Sequence, residues 1–347
     1  VLGRGEDPET EARREEETAP RDPDGRSAVG LRERPAEVRR LLSIVALVLA
    51  AGSASAEPTG PGGTPLIEIR ATPVDIVDGK LNGLVLQGTV ELTSDNDDFG
   101  GFSGLLMSDG KLISVSDRGW WLLADIEDRA NGLYPVLAGY APMTGAEGRR
   151  LDKGGRDAEG LTLRDGFMAV SFERDHRIAF HLEEGRLDDE VTDTRFERFG
   201  SNKGLEGLAT TPDGWILAIP EEPEDDEFPV FVLRYSGAFD RGSLPITGPH
   251  YVTGADVGPD GRLYLLKRDF SLLQGVSIRV ERYDLDEDGF PVAGTLKTLA
   301  AWENASGIDN MEGIALWTDR RGDLRLTLIS DDNFNSVQRT LLMDLTV

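Results

Sequence analysis

Three glutamates in this chain share one local sequence in which a carboxylate could do chemistry. Each is followed by Gly and then by Leu or Ile, at Glu159, Glu206 and Glu312. Oxygen ligands without sulfur, in a chain with few His, favour Ca²⁺ or Mg²⁺ over Zn²⁺ or Cu²⁺. Converging carboxylates are costly unless they bind a cation or one of them holds a proton. The three glutamates therefore predict a cation site, provided that the fold brings them together.

Further charged residues recur at related positions. Ser103 and Asp256 take roughly the place of the glutamates in two other segments, and acidic or basic pairs follow the second apolar run of each segment. Such cations could hold an anionic substrate group, for example a phosphate. The predicted catalytic residues are Asp117, Arg118, Glu159, Glu206, Lys267, Arg268 and Glu312. The predicted metal ligands are Glu159, Glu206, Asp256, Glu312, Asp331 and Asp332.

These residues sit in a pattern that occurs five times: a polar entry, an apolar run, an Asp-Gly-type turn and a second apolar run. The equivalent positions Gly104, Gly160, Gly207, Asp256 and Gly313 are separated by 56, 47, 49 and 57 residues. Apolar runs of four to seven residues between such turns are typical of strands and hairpins. A period near 50 residues indicates a repeat architecture, and units of four strands indicate the blades of a β-propeller.

The repeat predicts an all-β propeller of six four-stranded blades. About 290 residues after a leader, at about 50 per blade, give that number. The sixth blade would pair an N-terminal strand within 67–92 with the C-terminal run 338–347, which closes the ring. Residues 120–131 are the one segment expected to form a short helix or lid. Because innermost strands line the channel, the Glu-Gly positions should converge at one mouth.

The composition limits the partners of the chain. It has 37 basic and 63 acidic side chains, for a formal charge of -26, and no cysteine. An acidic surface repels nucleic acid and anionic lipid, so we expect neither as a partner. Without cysteine the chain has no disulfide, thiolate nucleophile or zinc-thiolate site. We expect a monomer that acts on a small-molecule ester or phosphoester.

The N-terminal segment has the features of a secretory signal. Residues 1–37 are rich in Arg, Glu, Asp and Pro, so we expect them to be disordered and to be a wrongly assigned extension. Residues 38–56 combine Arg39-Arg40, an apolar stretch and Ala-x-Ala before Glu57, which predicts cleavage after Ala56. Residues 57–65 form a linker, and 66–347 the folded domain. We expect export to the periplasm or secretion, by the general or the twin-arginine route. A precursor that retains residues 1–37 on N-terminal sequencing would contradict the interpretation of these residues as a wrongly assigned extension.

Two other acidic segments contain residues that could bind a cation. Residues 284–289 match the first half of an EF-hand loop, but position 12 is Thr295 and no helix flanks them, so a strand-connecting turn is expected. Residues 95–101 lead into the first repeat and could bring a ligand to the mouth. Ser103 lacks the spacing of a nucleophile elbow, and His176, His181 and His250 have no metal-ligand spacing.

Several ordered motifs of the chain resemble the bacterial phytase-like family described as having esterase-like activity of phytase. They are Phe99-Gly-Gly-Phe-Ser-Gly104, Ser116-Asp-Arg-Gly119, Asp157-Ala-Glu-Gly-Leu161, Asn202-Lys-Gly-Leu-Glu-Gly-Leu-Ala209, Asp260–Arg268, Asn310-Met-Glu-Gly-Ile314 and Ser330–Phe334. The resemblance covers residues 66–347. It implies an exported propeller, ester or phosphoester hydrolysis and a possible Ca²⁺ requirement. The matching positions are Asp117, Arg118, Glu159, Glu206, Lys267, Arg268, Glu312, Asp331, Asp332 and Asn333.

The leading functional hypothesis is metal-assisted hydrolysis of a phosphoester or carboxylic ester at the channel mouth. Two alternatives stay open at the level of sequence. One is a lactonase-type propeller that also uses a metal at the mouth. The other is a non-catalytic periplasmic binding module that calcium stabilises, since a fold does not by itself define a function.

Overall fold

Short apolar runs separated by tight turns form antiparallel hairpins throughout the chain. The turn Asp109-Gly110 shows how: both residues have positive φ angles, 50° and 75°, which fit a tight reversal between two strands. The computed structural model describes residues 63–347 apart from 78, 146, 183–184, 201–202, 272–274 and 304–306. The predicted leader and most of the predicted linker therefore lie outside the described residues and stay predictions.

The described residues form 23 strands and two short 3-10 turns, Thr194–Arg198 and Ala293–Thr295. In chain order the strands are β1 (Leu66–Ile67), β2 (Arg70–Pro73), β3 (Lys80–Leu81), β4 (Val85–Thr93), β5 (Phe102–Ser108), β6 (Lys111–Ser116), β7 (Trp120–Arg129), β8 (Gly132–Pro142), β9 (Ala158–Arg164), β10 (Phe167–Phe172), β11 (Arg177–His181), β12 (Leu187–Val191), β13 (Leu205–Thr210), β14 (Ile216–Pro220), β15 (Glu227–Leu233), β16 (Phe239–Pro245), β17 (Tyr251–Val257), β18 (Leu263–Ser271), β19 (Gly275–Tyr283), β20 (Lys297–Trp302), β21 (Met311–Thr318), β22 (Leu324–Ser330) and β23 (Thr340–Thr346). No helix among these described residues has the length and apolar composition needed to cross a bilayer.

The strands form five sheets, which are the blades of a β-propeller. From the axis outward, blade 1 is β5-β6-β7-β8-β1, blade 2 is β9-β10-β11-β12 and blade 3 is β13-β14-β15-β16. Blade 4 is β17-β18-β19-β20-β3, and blade 5 is β21-β22-β23-β4-β2. The prediction of an all-β propeller is confirmed, and so is its closure by terminal strands, because β23 pairs with β4 with Thr340 opposite Leu92.

The predicted number of six blades is wrong, because the N-terminal residues complete existing blades instead of starting a new one. The fifth repeat supplies only β21, β22 and β23, and β4 becomes its fourth strand. The segments β1, β2 and β3 then add a fifth strand each to blades 1, 5 and 4. The predicted short helix or lid at 120–131 is also wrong: Trp120–Arg129 is strand β7, which pairs with both β6 and β8.

Apolar packing between the blades holds the ring together. The described residues form five buried apolar clusters, and each combines side chains from two adjacent blades. Leu266 and Leu328 share the cluster between blades 4 and 5, for example, and Trp121 and Phe172 share the one between blades 1 and 2. Burying one such side chain stabilises the fold by about 1.5–3 kcal/mol. Closing the ring therefore gives each of the five blades a packed neighbour on both sides among the described residues.

A β-bulge interrupts the inner strand of every blade near the same mouth of the channel. The pairing shifts at Ser103, Glu206, Thr253 and Glu312, and blade 2 shifts at the Glu159-Gly160 step. A bulge inserts an extra residue and re-aims its side chain, and bulges are enriched beside active sites. All five inner strands therefore present one re-aimed residue to the mouth.

The glycine after the bulged residue lets neighbouring inner strands approach closely. A Cβ atom at Gly104, Gly160 or Gly313 would lie 2.7, 2.9 or 2.8 Å from the carbonyl oxygen of the bulged residue in the next blade. A Cβ atom at Gly254 would likewise meet the carbonyl oxygen of Glu312. The repeated glycine is therefore required by the distance between strands, not by a positive φ angle.

We predict that Gly104→Ala destabilises the propeller by about 1–3 kcal/mol, because the new Cβ must displace either the inner strand of blade 2 or its own. Gly294→Ala is the matched control, since a Cβ there meets nothing within 4 Å. Melting temperatures followed by circular dichroism test the pair. Equal melting temperatures for the two variants would contradict this account of the glycine.

Candidate active site at the acidic mouth of the channel

Glu159, Glu206 and Glu312 come together at the mouth, as the repeat predicted. Glu206, Glu312 and Ser103 line one cavity of about 10 Å³ between the inner strands. That volume fits roughly one water molecule or small ion. Burial raises the pKa of both Glu159 and Glu206 well above the usual range, and the neighbouring carboxylates, Glu312 among them, raise it further. The bulged residues Glu206 and Glu312 thus line one cavity, and Glu159 lies close enough for the charges of both to act on it.

On the blade 2 side, Asp157, Glu159 and Glu173 form an acidic triad. One oxygen from each lies within 4.8 Å of the others, and their exposed fractions are only 7%, 9% and 6%. Glu173 Oε1 accepts a hydrogen bond of 3.0 Å from the Gly204 amide, and Asp157 Oδ2 lies 2.7 Å from Arg174 Nε. A buried, all-oxygen donor set of this kind could hold a hard divalent cation.

On the opposite side, Glu312 is fixed by three partners. Arg268 Nη1 lies 2.8 Å from Glu312 Oε1, and Asn310 Nδ2 donates to the same oxygen at 2.8 Å. Ser103 Oγ donates to Glu312 Oε2 at 3.3 Å. Arg268 also donates to Asn310 Oδ1 and lies 3.5 Å from Glu221 Oε1. The Arg268 guanidinium thus bridges carboxylates from blades 3 and 5.

The loop after β22 carries the next acidic pair and is tied to blade 1. Asp331 Oδ1 accepts from the Asn333 amide at 2.6 Å. Asp332 Oδ1 accepts from the amides of Gly101 and Phe334, both at 3.0 Å. Asn333 and Phe334 both have φ of 48°, which is unusual for a bulky residue such as Phe and is typical of strained functional loops. Asp332 therefore holds this loop in place, while Asp331 faces the other acidic groups.

Asp117 occupies a distinct position at the mouth. Its Oδ1 is buried without a hydrogen-bond partner among the described residues. Burial, followed by the charge of Asp157, raises the pKa of Asp117 to about 7, although Arg118 opposes the shift. A carboxyl group with that pKa exchanges protons near neutral pH.

Other carboxyl groups of the mouth are shifted in the same direction. Burial and then the charge of Asp157 raise the pKa of Glu173 to about 7. Burial and then Glu312 raise the pKa of Asp331 to about 9. The cause is shared: each carboxylate loses hydration and faces other carboxylates, so a proton or a cation stabilises the site.

Two predicted site residues lie apart from this cluster. Lys267 is 1% exposed, pairs with Glu281 at 3.2 Å and donates to Thr247 Oγ1 at 2.9 Å. Because side chains alternate along a strand, Arg268 reaches the mouth while Lys267 faces blade 3. Lys267 therefore forms a buried ion pair with Glu281 of the neighbouring strand in the same blade.

Asp256 is the second predicted site residue that lies away from the mouth cluster. The bulge register places Thr253, not Asp256, at the position equivalent to the glutamates. Asp256 lies further along β17, where it accepts from the amides of Val257 at 2.8 Å and Leu316 at 2.6 Å. It therefore links the inner strands of blades 4 and 5. Arg118 lies at the rim, stacked on the Phe334 ring and 4.0 Å from Asp98.

Asp157 and Asn310 are mouth residues that the sequence reasoning missed. Each lies two positions before a glutamate of the repeat, in Asp157-Ala-Glu159 and Asn310-Met-Glu312. A polar residue two positions before the glutamate was the feature of the sequence that could have predicted both. The acidic turn at 284–289 connects β19 to β20, as expected, with Asp286 Oδ1 accepting from the amides of Asp288 and Phe290.

The comparison with protein families agrees with these motifs. The model of the phytase-like family, described as esterase-like activity of phytase, matches residues 97–334, which is more than half of the chain. The chain belongs to the phytase-like family. All of the mouth residues described above lie within the matched range. No curated protein gives a significant match.

Solved structures with some similarity have low identity. Glutaminyl cyclase from Myxococcus xanthus is 12% identical with a TM-score of 0.43, and the match covers 80% of this chain and 99% of that one. A gluconolactonase from Xanthomonas campestris is 16% identical with a TM-score of 0.40, covering 83% and 99%. The PQQ-bound aldose sugar dehydrogenase from Streptomyces coelicolor is 13% identical with a TM-score of 0.37, covering 80% and 99%.

We predict that Glu206→Gln stabilises the cation-free protein at alkaline pH. The pKa of Glu206 is raised in the folded protein, so the wild-type protein loses folding stability as the pH rises through that pKa. Gln does not ionise, so the variant does not lose stability in this way. In chelating buffer the variant should gain about 1 kcal/mol or more at pH 8, and less at pH 5. Calorimetric melting at both pH values measures this. Exposed Glu287→Gln is the control, and an equal gain of Glu206→Gln at the two pH values would contradict the prediction.

Proposed function

We propose that this member of the phytase-like family hydrolyses an ester bond, carboxylic or phosphoric, at the acidic mouth, with the assistance of a bound cation. The observation that carries the proposal is the convergence of buried carboxylates from several blades beside Asp117, whose Oδ1 has no partner among the described residues. Arg174 pairs with Asp157 and Arg268 with Glu312, but neither Glu159 nor Glu206 forms an ion pair among the described residues, so the cationic side chains do not balance the buried carboxylates. The family description agrees with ester hydrolysis.

The donor set fits a hard cation, and we propose Ca²⁺. Asp157, Glu159 and Glu173 supply only oxygen, in a buried place where unpaired charge is costly. These three residues would hold the cation, with Glu206 and Glu312 beside them. A bound cation of this class supplies Lewis-acid polarisation of the ester oxygen and a lowered pKa of an attacking water.

The side chains of the protein would perform the proton transfer and part of the charge stabilisation. Asp117, with a pKa of about 7, is suited to accept a proton from water and to return it to the leaving alcohol. Arg118 at the rim and Arg268 beside Glu312 are the cations placed to stabilise developing negative charge. Lys267 has no such role in the proposal, because Glu281 neutralises it away from the mouth.

We predict turnover of 4-nitrophenyl acetate or 4-nitrophenyl phosphate that is lost on chelation and restored by Ca²⁺. Asp117→Asn should lower kcat by about 10²–10⁴, with little change in KM, because proton transfer contributes that much. The wild-type rate should rise with pH as Asp117 loses its proton, and the variant should lose that dependence. Steady-state kinetics across pH 5 to 9 measure both effects.

The control for these kinetics is the exposed Glu287→Gln, which should retain wild-type rates. Absence of turnover with and without Ca²⁺ would contradict the proposal. A melting temperature that rises with Ca²⁺ without any turnover would favour the non-catalytic binding module instead. Turnover confined to a panel of lactones would favour the lactonase.

A further inference from the structure

Two exposed aromatic side chains border the mouth on blade 4. Tyr251 is 41% exposed and Phe270 is 63% exposed. Tyr251 lies directly opposite Arg268 in the β17–β18 ladder, and Phe270 is two residues beyond Arg268 on β18. Directly opposed residues share a face of the sheet, and so do residues two apart on one strand. Tyr251, Arg268 and Phe270 therefore form a continuous strip on the face that reaches Glu312.

The strand ends that carry this strip are anchored. His250, next to Tyr251 and only 6% exposed, places Nε2 2.9 Å from Ser277 Oγ on β19. Ser277 lies opposite Asp269, the residue between Arg268 and Phe270. Val276, opposite Phe270, packs against the apolar cluster between blades 4 and 5. The backbone that carries the two rings is thus anchored by hydrogen bonding and packing at the neighbouring positions.

The charge at the mouth opposes a densely anionic substrate. Arg118, Arg174, Lys203 and Arg268 each lie within 4.0 Å of a carboxylate. They share the mouth with a larger number of acidic groups, namely Asp117, Asp157, Glu159, Glu173, Glu206, Glu221, Glu222, Glu312, Asp331 and Asp332. One bound divalent cation could accept a single acyl or phosphoryl group there, but several further phosphates would face carboxylates at short range.

We propose that Tyr251 and Phe270 bind the apolar, preferably aromatic, part of a substrate whose single ester group lies at the acidic mouth. This inference rests on the proposed function and narrows its substrate class to esters of aromatic or extended apolar groups. Aromatic rings provide large apolar contact area at low entropic cost, and burying them on a ligand is favourable. Arg268 lies next to both aromatic residues in the β17–β18 ladder and pairs with Glu312, so it connects the two rings to the charged site.

The test compares ligands that differ only in their apolar part. In the presence of Ca²⁺, benzylphosphonate and methylphosphonate report binding without turnover, by saturation-transfer NMR and titration. Benzyl acetate and methyl acetate, with benzyl and methyl phosphate, report turnover. The variants are Tyr251→Ala, Phe270→Ala and the conservative Phe270→Leu. Val136→Ala, which removes an exposed apolar side chain from β8 of blade 1, is the control.

We expect benzylphosphonate to bind more tightly than methylphosphonate. Each alanine variant should weaken benzylphosphonate binding, and raise KM for the benzyl ester, about tenfold at similar kcat. Phe270→Leu should recover part of the loss, and methylphosphonate binding should not change. Equal affinity for the two phosphonates, or variants that affect both equally, would overturn the inference even if esters are hydrolysed. The variants could selectively lose benzylphosphonate binding while the protein hydrolyses no ester. That result would support aromatic binding by Tyr251 and Phe270 and would contradict the proposed function.

Discussion

The close approach of five inner strands around the channel axis is the constraint on which the rest of this molecule depends. Glycines next to the bulged positions allow that approach, because a side chain at Gly104 or Gly313 would meet the carbonyl oxygen of the neighbouring strand. The bulges then re-aim one residue per blade toward the mouth. Convergence of Glu159, Glu206 and Glu312 follows directly from this geometry.

The same convergence makes the mouth energetically unfavourable when no proton or cation is bound. Burial and mutual repulsion raise the pKa of Glu159, Glu206 and Asp331. The five apolar clusters between blades supply the stability that tolerates this cost. Groups elsewhere are paired in the ordinary way: Lys267 with Glu281, and Asp256 with two backbone amides. The contrast between paired groups within the blades and crowded carboxylates at the mouth supports a ligand role for the mouth.

Much of the fold could be predicted because its causes are local. Apolar runs between Asp-Gly turns specify hairpins, and their recurrence specifies the propeller. The number of blades could not be obtained in this way, since it depends on where β1, β2 and β3 find free sheet edges. The strand conformation of Trp120–Arg129 could not be predicted from the sequence for a similar reason. Pairing with β6 and β8 decides their conformation, whatever their local preference.

The sequence alone determined that three Glu-Gly steps recur in register and that the chain closes through its terminal strands, because repetition and alternation are properties of the order of residues. Tertiary structure decided which charges meet. It placed Arg268 at the mouth and Lys267 in the blade interface, put Thr253 at the position expected for Asp256, and brought Asp157 and Asn310 into the site. The physical reason is that one bulge shifts the alternation of side chains along a strand, and neighbouring blades then set the distances between groups that are remote in the chain.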